Sequence, residues 1–350
     1  MRDGKFVSAI IGFGGQGNWQ HEVMKRNPDI IVKGVYDIRE VRMEFAKEKG
    51  LYTYSSPEEI YGDGEVDLVV VATPNDVHKS YALALCEAGK NVVCEKPVTL
   101  STEDLKEMVD AANKNGVLLT SYQNRRWDKD YLIMKEIVES GDIGEVYNIE
   151  SRVQGSRGIP GDWRKTKEHG GGMVYDWGIH LLDQILMMSD DKVKKVYGEL
   201  EFVTKAEVDD GFRTVLTMES GRRVMVEVST RIFAPLPRWH IQGTEGTATV
   251  ENFNCDGEKV ILVDPSVKDV IPVRTAAGIT KTMAPRTDDS VRREPLPQID
   301  PDFDAYYKNI VGVLKGEEKP IVTHAHLFRS MALMEAIFKS ARENIIVDFE

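Results

Sequence analysis

Two stretches of this chain hold titratable side chains where they could take part in chemistry. One is Glu95-Lys96-Pro97, which closes the apolar run Val92-Val93-Cys94. Pro97 removes a backbone donor and biases Lys96 away from helical geometry, so the chain halts at a strand end. A lysine held there could steady a developing alkoxide or relay a proton; the same residue also reads as a solvated surface lysine. The other stretch is Gly170-Gly171-Gly172-Met173-Val174-Tyr175-Asp176-Trp177-Gly178-Ile179-His180-Leu181-Leu182-Asp183. A helix beginning near Asp176 puts His180 on its face at i+4, with Asp183 three residues further on. A histidine paired with a carboxylate titrates where general acid–base catalysis works near neutral pH. The three glycines leave room for close approach. A core histidine satisfied by a helical neighbour is the competing reading, and His240, His324 and His326 take it.

Such groups need something to position them, and the segment from Phe6 to Asp37 supplies it. The apolar run Phe6-Val7-Ser8-Ala9-Ile10-Ile11 leads into Gly12-Phe13-Gly14-Gly15-Gln16-Gly17, and Asp37 closes a second apolar run 20 positions after Gly17. Strand, G-x-G-x-x-G, helix and a distant acid together form the dinucleotide-binding fingerprint. Gly12 serves the tight turn, Gly14 lets the backbone approach a pyrophosphate, and Gly17 lets helix and strand lie close. The helix N-terminus offers free N–H groups to the phosphates. Asp37 would take the adenosine ribose hydroxyls and repel a 2′-phosphate, which favours NAD over NADP. Arg39, two residues on, softens that preference and keeps NADP as the alternative.

Strand and helix then alternate. Glu40 to Lys49 reads as a helix stopped by Gly50, and Ser56-Pro57-Glu58-Glu59 as the start of another, with Ser56 as cap and Glu59 reaching back. The run Val66 to Ala72 suits a strand buried on both faces. Leu105, Met108, Val109 and Ala112 give the helix after Ser101 one apolar stripe. This order implies a parallel, doubly wound sheet whose ligands sit beyond the strands' carboxyl ends. Gly12 to Gly17, Asp37, Thr73-Pro74-Asn75, Glu95-Lys96-Pro97 and Tyr122-Gln123-Asn124 all follow strands and should meet at one crevice.

After Asn124 the pattern changes. A helix from Asp130 to Ser140, stopped by Gly141, precedes period-two strands: Tyr147, Ile149 and Val153; Phe212, Thr214, Leu216 and Met218; Val224, Val226 and Val228. Ser220-Gly221 suits a hairpin turn between the last two. Strands with one polar face each imply an antiparallel sheet open on one side to water or to a partner, and because large apolar sheet faces seldom stay exposed a homo-oligomer is expected. Residues 252–298 read as long connections and short edge strands. Helices near Phe303 to Leu314 and Thr323 to Asn344 close the chain.

A chain of 350 residues exceeds the roughly 250–300 at which one core stops growing, so two domains are expected. Its net charge of −12 argues against a nucleic-acid surface. Met1-Arg2-Asp3-Gly4-Lys5 runs straight into the first strand without a signal peptide, and the apolar runs are too short for a bilayer. A cytoplasmic protein without membrane partner is expected. Cys86, Cys94 and Cys255 lack metal or redox spacing and read as buried, reduced packing residues; no metal is expected.

Taken together, Cys94-Glu95-Lys96-Pro97 behind the glycine fingerprint, Gly170-Gly171-Gly172 and Asp176-x-x-x-His180 resemble the Gfo/Idh/MocA family of NAD(P)-dependent oxidoreductases, whose members include glucose–fructose oxidoreductase and inositol dehydrogenases. The similarity extends to Ala72-Thr73-Pro74-Asn75 with His78, Gly161-Asp162-Trp163-Arg164 and Gln242-Gly243-Thr244-Glu245-Gly246, and so covers essentially the whole chain. It implies an α/β protein: a Rossmann domain over 1–124, then a substrate-binding and oligomerisation α/β domain over 125–350 with a large open, mainly antiparallel sheet, its last helix packing back on the first domain. By resemblance Lys96, Asp176 and His180 are the catalytic set. His180 would take a hydroxyl proton, Lys96 would steady the alkoxide, and Asp176 would orient substrate and histidine. The cofactor would be held by Gly12, Phe13, Gly14, Gln16, Gly17, Asp37, Arg39, Ala72, Thr73, Pro74, Asn75, His78, Glu95, Lys96, Asn124, Trp163 and Arg164. Asn124-Arg125-Arg126-Trp127-Asp128 is similar to a stretch of some scyllo-inositol dehydrogenase-like members. The implied activity is hydride transfer between NAD and a secondary hydroxyl of a sugar, glycoside or inositol by a homodimer or homotetramer. An NAD-dependent redox-assisted glycosidase and a non-catalytic sugar-sensing regulator are the alternatives.

Overall fold

The computed structural model describes residues 4–266 and 271–349. Met1-Arg2-Asp3 of the expected direct start, and 267–270 of the expected long connections, lie outside the described residues. Short apolar runs form the first sheet: β1 (Phe6–Ile11), β2 (Ile30–Tyr36), β3 (Tyr52–Thr53), β4 (Leu68–Val71), β5 (Asn91–Cys94) and β6 (Leu119–Ser121). Their order is β3-β2-β1-β4-β5-β6, with every pair parallel. This is the doubly wound order, whose direction reverses beside β1 and opens a crevice there. All four residues of β4 are buried, as a strand covered on both faces by helices requires.

The intervening helices are α1 (Gly15–Met24), α2 (Glu40–Glu48), α3 (Pro57–Gly62), α4 (His78–Glu87) and α5 (Thr102–Asn115). On α5 the four apolar residues at i, i+3, i+4 and i+7 are all buried. Ser101 Oγ caps it by accepting from Asp104 N (3.1 Å), and Gly116 stops it at φ +66. The cap of α3 differs from expectation: Ser56 makes no side-chain cap bond, and Glu59 instead accepts from the N–H (2.7 Å) and hydroxyl (2.9 Å) of Ser55.

After α6 (Lys129–Ser140) the second sheet begins. Its strands are β7 (Val146–Gln154), β8 (Val193–Glu201), β9 (Gly211–Met218), β10 (Arg223–Ser229), β11 (Trp239–Gly243), β12 (Gly246–Val250) and β13 (Gly257–Leu262); β14 (Val273–Thr275) pairs only with β15 (Gly278–Thr280), and β16 (Val291–Pro295) and β17 (Val347–Asp348) form the large sheet's edges. The order is β16-β13-β12-β11-β7-β10-β9-β8-β17, antiparallel except where β7 runs parallel to β10. Helix α7 (Ile179–Leu186) packs against α9 (His324–Glu343), which with α8 (Ala305–Leu314) completes the set of helices.

The outer face carries a row of charged residues, in keeping with the polar face that the alternation implies. Glu199, Arg213, Glu227 and Arg152 stand side by side across β8, β9, β10 and β7, and Arg213 Nη2 binds Glu227 Oε2 at 2.9 Å. Tyr147, expected on the buried side, is exposed, because Val146 takes the inner position beside a register shift at Gln242/Gly243. Cys86 and Cys94 are buried thiols, while Cys255 is only partly covered.

Helix α9 packs along β8, where Ser340 Oγ accepts from Gly198 N (2.9 Å), and it reaches the first sheet's layer through Glu335, which accepts from Thr102 N at 2.7 Å. The C-terminal segment thereby fixes the two sheets against each other along the crevice. No helix among the described residues is long and apolar enough to cross a membrane.

Candidate active site

The turn after β1 is built by steric exclusion. Gly12 has φ +90, and a Cβ there would collide with the carbonyl of Ala72; one at Gly17 would collide with the carbonyl of Gly12. Gly14 and Gly15 are the opposite case, with open space in front of them except for Arg39 Nη2 at 3.5 Å from a Cβ built on Gly14. The first turn of α1 opens on this space with no side chain capping it, leaving N–H groups for an anion. Asp37, at the end of β2, clamps the turn: Oδ2 accepts from Phe13 N (2.7 Å) and Oδ1 from Arg39 N (2.9 Å). At the end of β4, Thr73 Oγ1 is buried with no partner among the described residues. An open glycine cradle, a free helix start and an unpartnered hydroxyl fit a dinucleotide.

Lys96 and Asp176, 80 residues apart, meet at the edge of the cradle. Lys96 Nζ donates to the main-chain oxygen of Asp176 (2.7 Å) and to its Oδ1 (3.2 Å). Arg164 Nε reaches the same Oδ1 at 3.1 Å and Nη1 holds Asp162 at 2.8 Å. Burial pushes the Asp176 carboxyl upward, but Lys96 and Arg164 outweigh it and hold it below the usual carboxylate value. His180 closes the site, and with Gln16, Asn124, Arg125 and Trp177 these residues line a cavity of about 200 Å³. The Arg125 guanidinium lies 4.2 Å from the Trp177 ring centroid and pairs with Asp128 at 2.7 Å. Burial, with the charges of Lys96 and Arg125, drives the His180 imidazole well below its ordinary value. Its Nδ1 is buried with no partner among the described residues, an arrangement that costs about 1–3 kcal/mol. A larger cavity, about 730 Å³, is lined by Gly170, Gly171, Tyr175, Asp209 and Glu335 among others and by none of Lys96, Asp176 and His180.

Comparison with known proteins agrees with this geometry. Residues 6–123 match the NAD-binding Rossmann-fold model of the Gfo/Idh/MocA oxidoreductases and residues 131–249 match that family's C-terminal domain. The crystal structure of an NAD-binding protein from Listeria innocua superposes with a TM-score of 0.95, at 43% identity over 99% of both chains. The chain belongs to the Gfo/Idh/MocA family. An uncharacterized oxidoreductase of Schizosaccharomyces pombe is 36% identical over 56% of this chain, which spans only 56% of that relative. The scyllo-inositol 2-dehydrogenase (NADP(+)) IolW of Bacillus subtilis is 26% identical over 97% of this chain and 95% of its own.

For a Gfo/Idh/MocA member this chain arranges several residues otherwise than their spacing suggested. Among the described residues His180 pairs with no carboxylate: Asp176 is taken by Lys96 and Arg164, and both oxygens of Asp183 by Arg126 at 2.7 Å. Val174–Gly178 forms a π turn ahead of α7, so the regular helix starts after Asp176. His78 is fully buried, with Nδ1 2.9 Å from Pro97 O and Nε2 3.0 Å from Thr73 O, so that both ring nitrogens are engaged beneath the crevice. Glu95 also turns inward, accepting from Gln20, whose oxygen in turn holds the Tyr307 hydroxyl. Asn75 is committed to Gly170 O at 2.9 Å, and the Phe13 ring packs between His21 and Phe45, leaving only its main chain at the cradle. Ala72 contributes its carbonyl beside the glycine turn, Pro74 O accepts from Val77 N at 3.4 Å, and Trp163 lies under Arg164, its ring centroid 4.6 Å from the guanidinium carbon. Two lining residues escaped sequence reasoning, Arg125 and Trp177, although each adjoins a residue it singled out.

The doubly engaged Asp37 makes a nucleotide prediction. Asparagine can keep the bond from Phe13 N while losing the charge. Asp37→Asn is therefore expected to shift preference toward NADP by on the order of tenfold, or ~1.4 kcal/mol. Fluorescence titration with both dinucleotides measures it, and an unchanged ratio would assign the preference to Arg39.

Proposed function

We propose that the protein oxidises a secondary hydroxyl of a sugar, glycoside or inositol, and runs the reverse reduction, with NAD as its redox partner. The observation that carries this reading is the meeting of Lys96 with Asp176 beside an unpaired, neutral His180. The Bacillus subtilis relative, a scyllo-inositol 2-dehydrogenase (NADP(+)), supports the polyol class. When bound in the glycine cradle, the dinucleotide supplies the acceptor for the carbon-bound hydrogen and its electron pair. Every other requirement falls on the chain.

The hydroxyl proton goes to His180, on the ring nitrogen that faces the cavity, Nε2, since Nδ1 is buried. Lys96 has three N–H donors, of which Asp176 takes two. The third is free to meet the oxygen as negative charge grows on it, the moment at which a positioned donor accelerates a reaction. Asp176 in turn keeps the ammonium from swinging into solvent, and Arg164 keeps Asp176 ionised. The Trp177 ring and the Arg125 fork offer an apolar face and hydrogen-bond donors to a polyol.

Purified protein incubated with NAD and a panel of cyclitols, hexoses and glycosides should reduce the cofactor with at least one of them; silence across the panel would sink the reading. The pH profile adds a sharper check. The imidazole must be neutral to accept the proton, and its pKa lies well below 6.5. The rate of alcohol oxidation, as kcat/KM, should therefore stay flat down through pH 6.5 and fall only in more acid solution.

A further inference from the structure

Asp209 lies two residues ahead of β9, lines the 730 Å³ cavity and not the 200 Å³ one, and has no part in the chemistry above. It is nonetheless only 4% exposed, and a carboxylate is seldom buried without a task. Its Oδ2 accepts from Met173 N (2.8 Å) and Val174 N (2.9 Å), and its main-chain oxygen accepts from Met173 N as well (3.1 Å). Gly172 makes room for it: at φ +108, a Cβ there would strike Asp209 Oδ1.

The two N–H groups it takes stand at the entrance to the π turn Val174–Gly178, and the third residue of that turn is Asp176. A π turn is a rare, wide conformation, found mostly where a function requires it. Asp176 N is held by Gly172 O at 3.0 Å, and Asp176 holds Lys96 through both its main-chain and carboxyl oxygens. A continuous set of bonds thus runs from Asp209 through residues 172–174 to Asp176 and Lys96.

We propose that Asp209 is a positioning residue of the active site, whose carboxyl oxygen pins the entrance of the π turn and so sets where Asp176 meets Lys96. Its task is that of an acceptor, not of a charge. Burial lifts its carboxyl to about 7 against the bonds from Val174 and Met173, and a protonated acid keeps an oxygen able to accept both N–H groups. Asparagine should then do the same work, and alanine should not.

The inference rests on the proposed chemistry only for its kinetic consequence, so the test has an arm that needs no substrate. Lys96 in Asp209→Ala, Asp209→Asn and the parent is labelled with an amine-reactive reagent and its modification followed by mass spectrometry. Faster labelling in Asp209→Ala, with Asp209→Asn like the parent, is the expected result. With a turned-over alcohol in hand, Asp209→Ala should lose about 10–100-fold in kcat through misplacement of the reacting groups, with the KM for NAD unchanged. Unchanged Lys96 labelling in a folded Asp209→Ala, or equal damage in Asp209→Asn, would overturn the proposal. Should the alanine variant not fold, hydrogen exchange in the parent decides: the amides of Met173 and Val174 must exchange as slowly as those of β9. Altered labelling without turnover of any alcohol would uphold the positioning role and count against the proposed function alone.

Discussion

Lys96→Met should lower kcat by about 10²–10⁴-fold, the range expected when a positioned proton-transfer or charge-stabilising group is removed. The substitution isolates the ammonium. Methionine keeps the length and the apolar stem, and Asp176 still has Arg164 at 3.1 Å, so no carboxylate is left buried without a cation. Dinucleotide affinity should stay close to that of the parent, because the glycine cradle and Asp37 are untouched. A second signature accompanies the loss. The Lys96 charge is one of the causes that depress the His180 imidazole, so its removal lets that pKa rise and moves the acid limb of the pH profile toward neutrality. Steady-state kinetics across pH measures both. A kcat within tenfold of the parent, or an unmoved limb, would take Lys96 out of the reacting centre.

Much of the architecture was legible because local signals agreed with one another. The run Leu68-Val69-Val70-Val71, the stripe Leu105, Met108, Val109 and Ala112, and the stops at Gly50, Gly116 and Gly141 each point to one structure, and each is there. What could not be read is what depends on partners distant in sequence. Helical spacing made Asp176 and Asp183 natural partners for His180. In the folded chain each meets a guanidinium or ammonium 12 to 80 residues away, and a permanent cation outcompetes a neutral imidazole for a carboxylate. His78 looked like a crevice residue because it follows a strand, but both its nitrogens meet carbonyls that only the folded loops bring near. The parallel pairing of β7 with β10 joins segments about 75 residues apart and leaves no turn signature between them. Period-two alternation gave the sheet one polar face, but that Glu199, Arg213, Glu227 and Arg152 line up there as a ladder of alternating charge depends on the register between strands, which no single strand records.

Arg126→Met is expected to cost about 3–5 kcal/mol of folding stability, the penalty for stranding a buried charge. Arg126 follows β6, and its Nε and Nη2 grip the two oxygens of Asp183 on α7, while Nη1 donates to Ile321 O at 3.1 Å ahead of α9. Both side chains are buried, at 8% and 3% exposure. At roughly 2–4 °C per kcal/mol for a chain of a few hundred residues, the midpoint of thermal unfolding should fall by about 10 °C. Asp183 lies one turn beyond His180, so the same pair sets the height at which α7 presents the imidazole to the cavity. The double variant Arg126→Met/Asp183→Leu separates these roles. Removing both charges should recover most of the stability, yet the bidentate grip that fixes α7 is gone. If the recovered protein still turns over poorly, the ion pair is there to place His180; if stability and kcat return together, α7 is located by its apolar contacts alone.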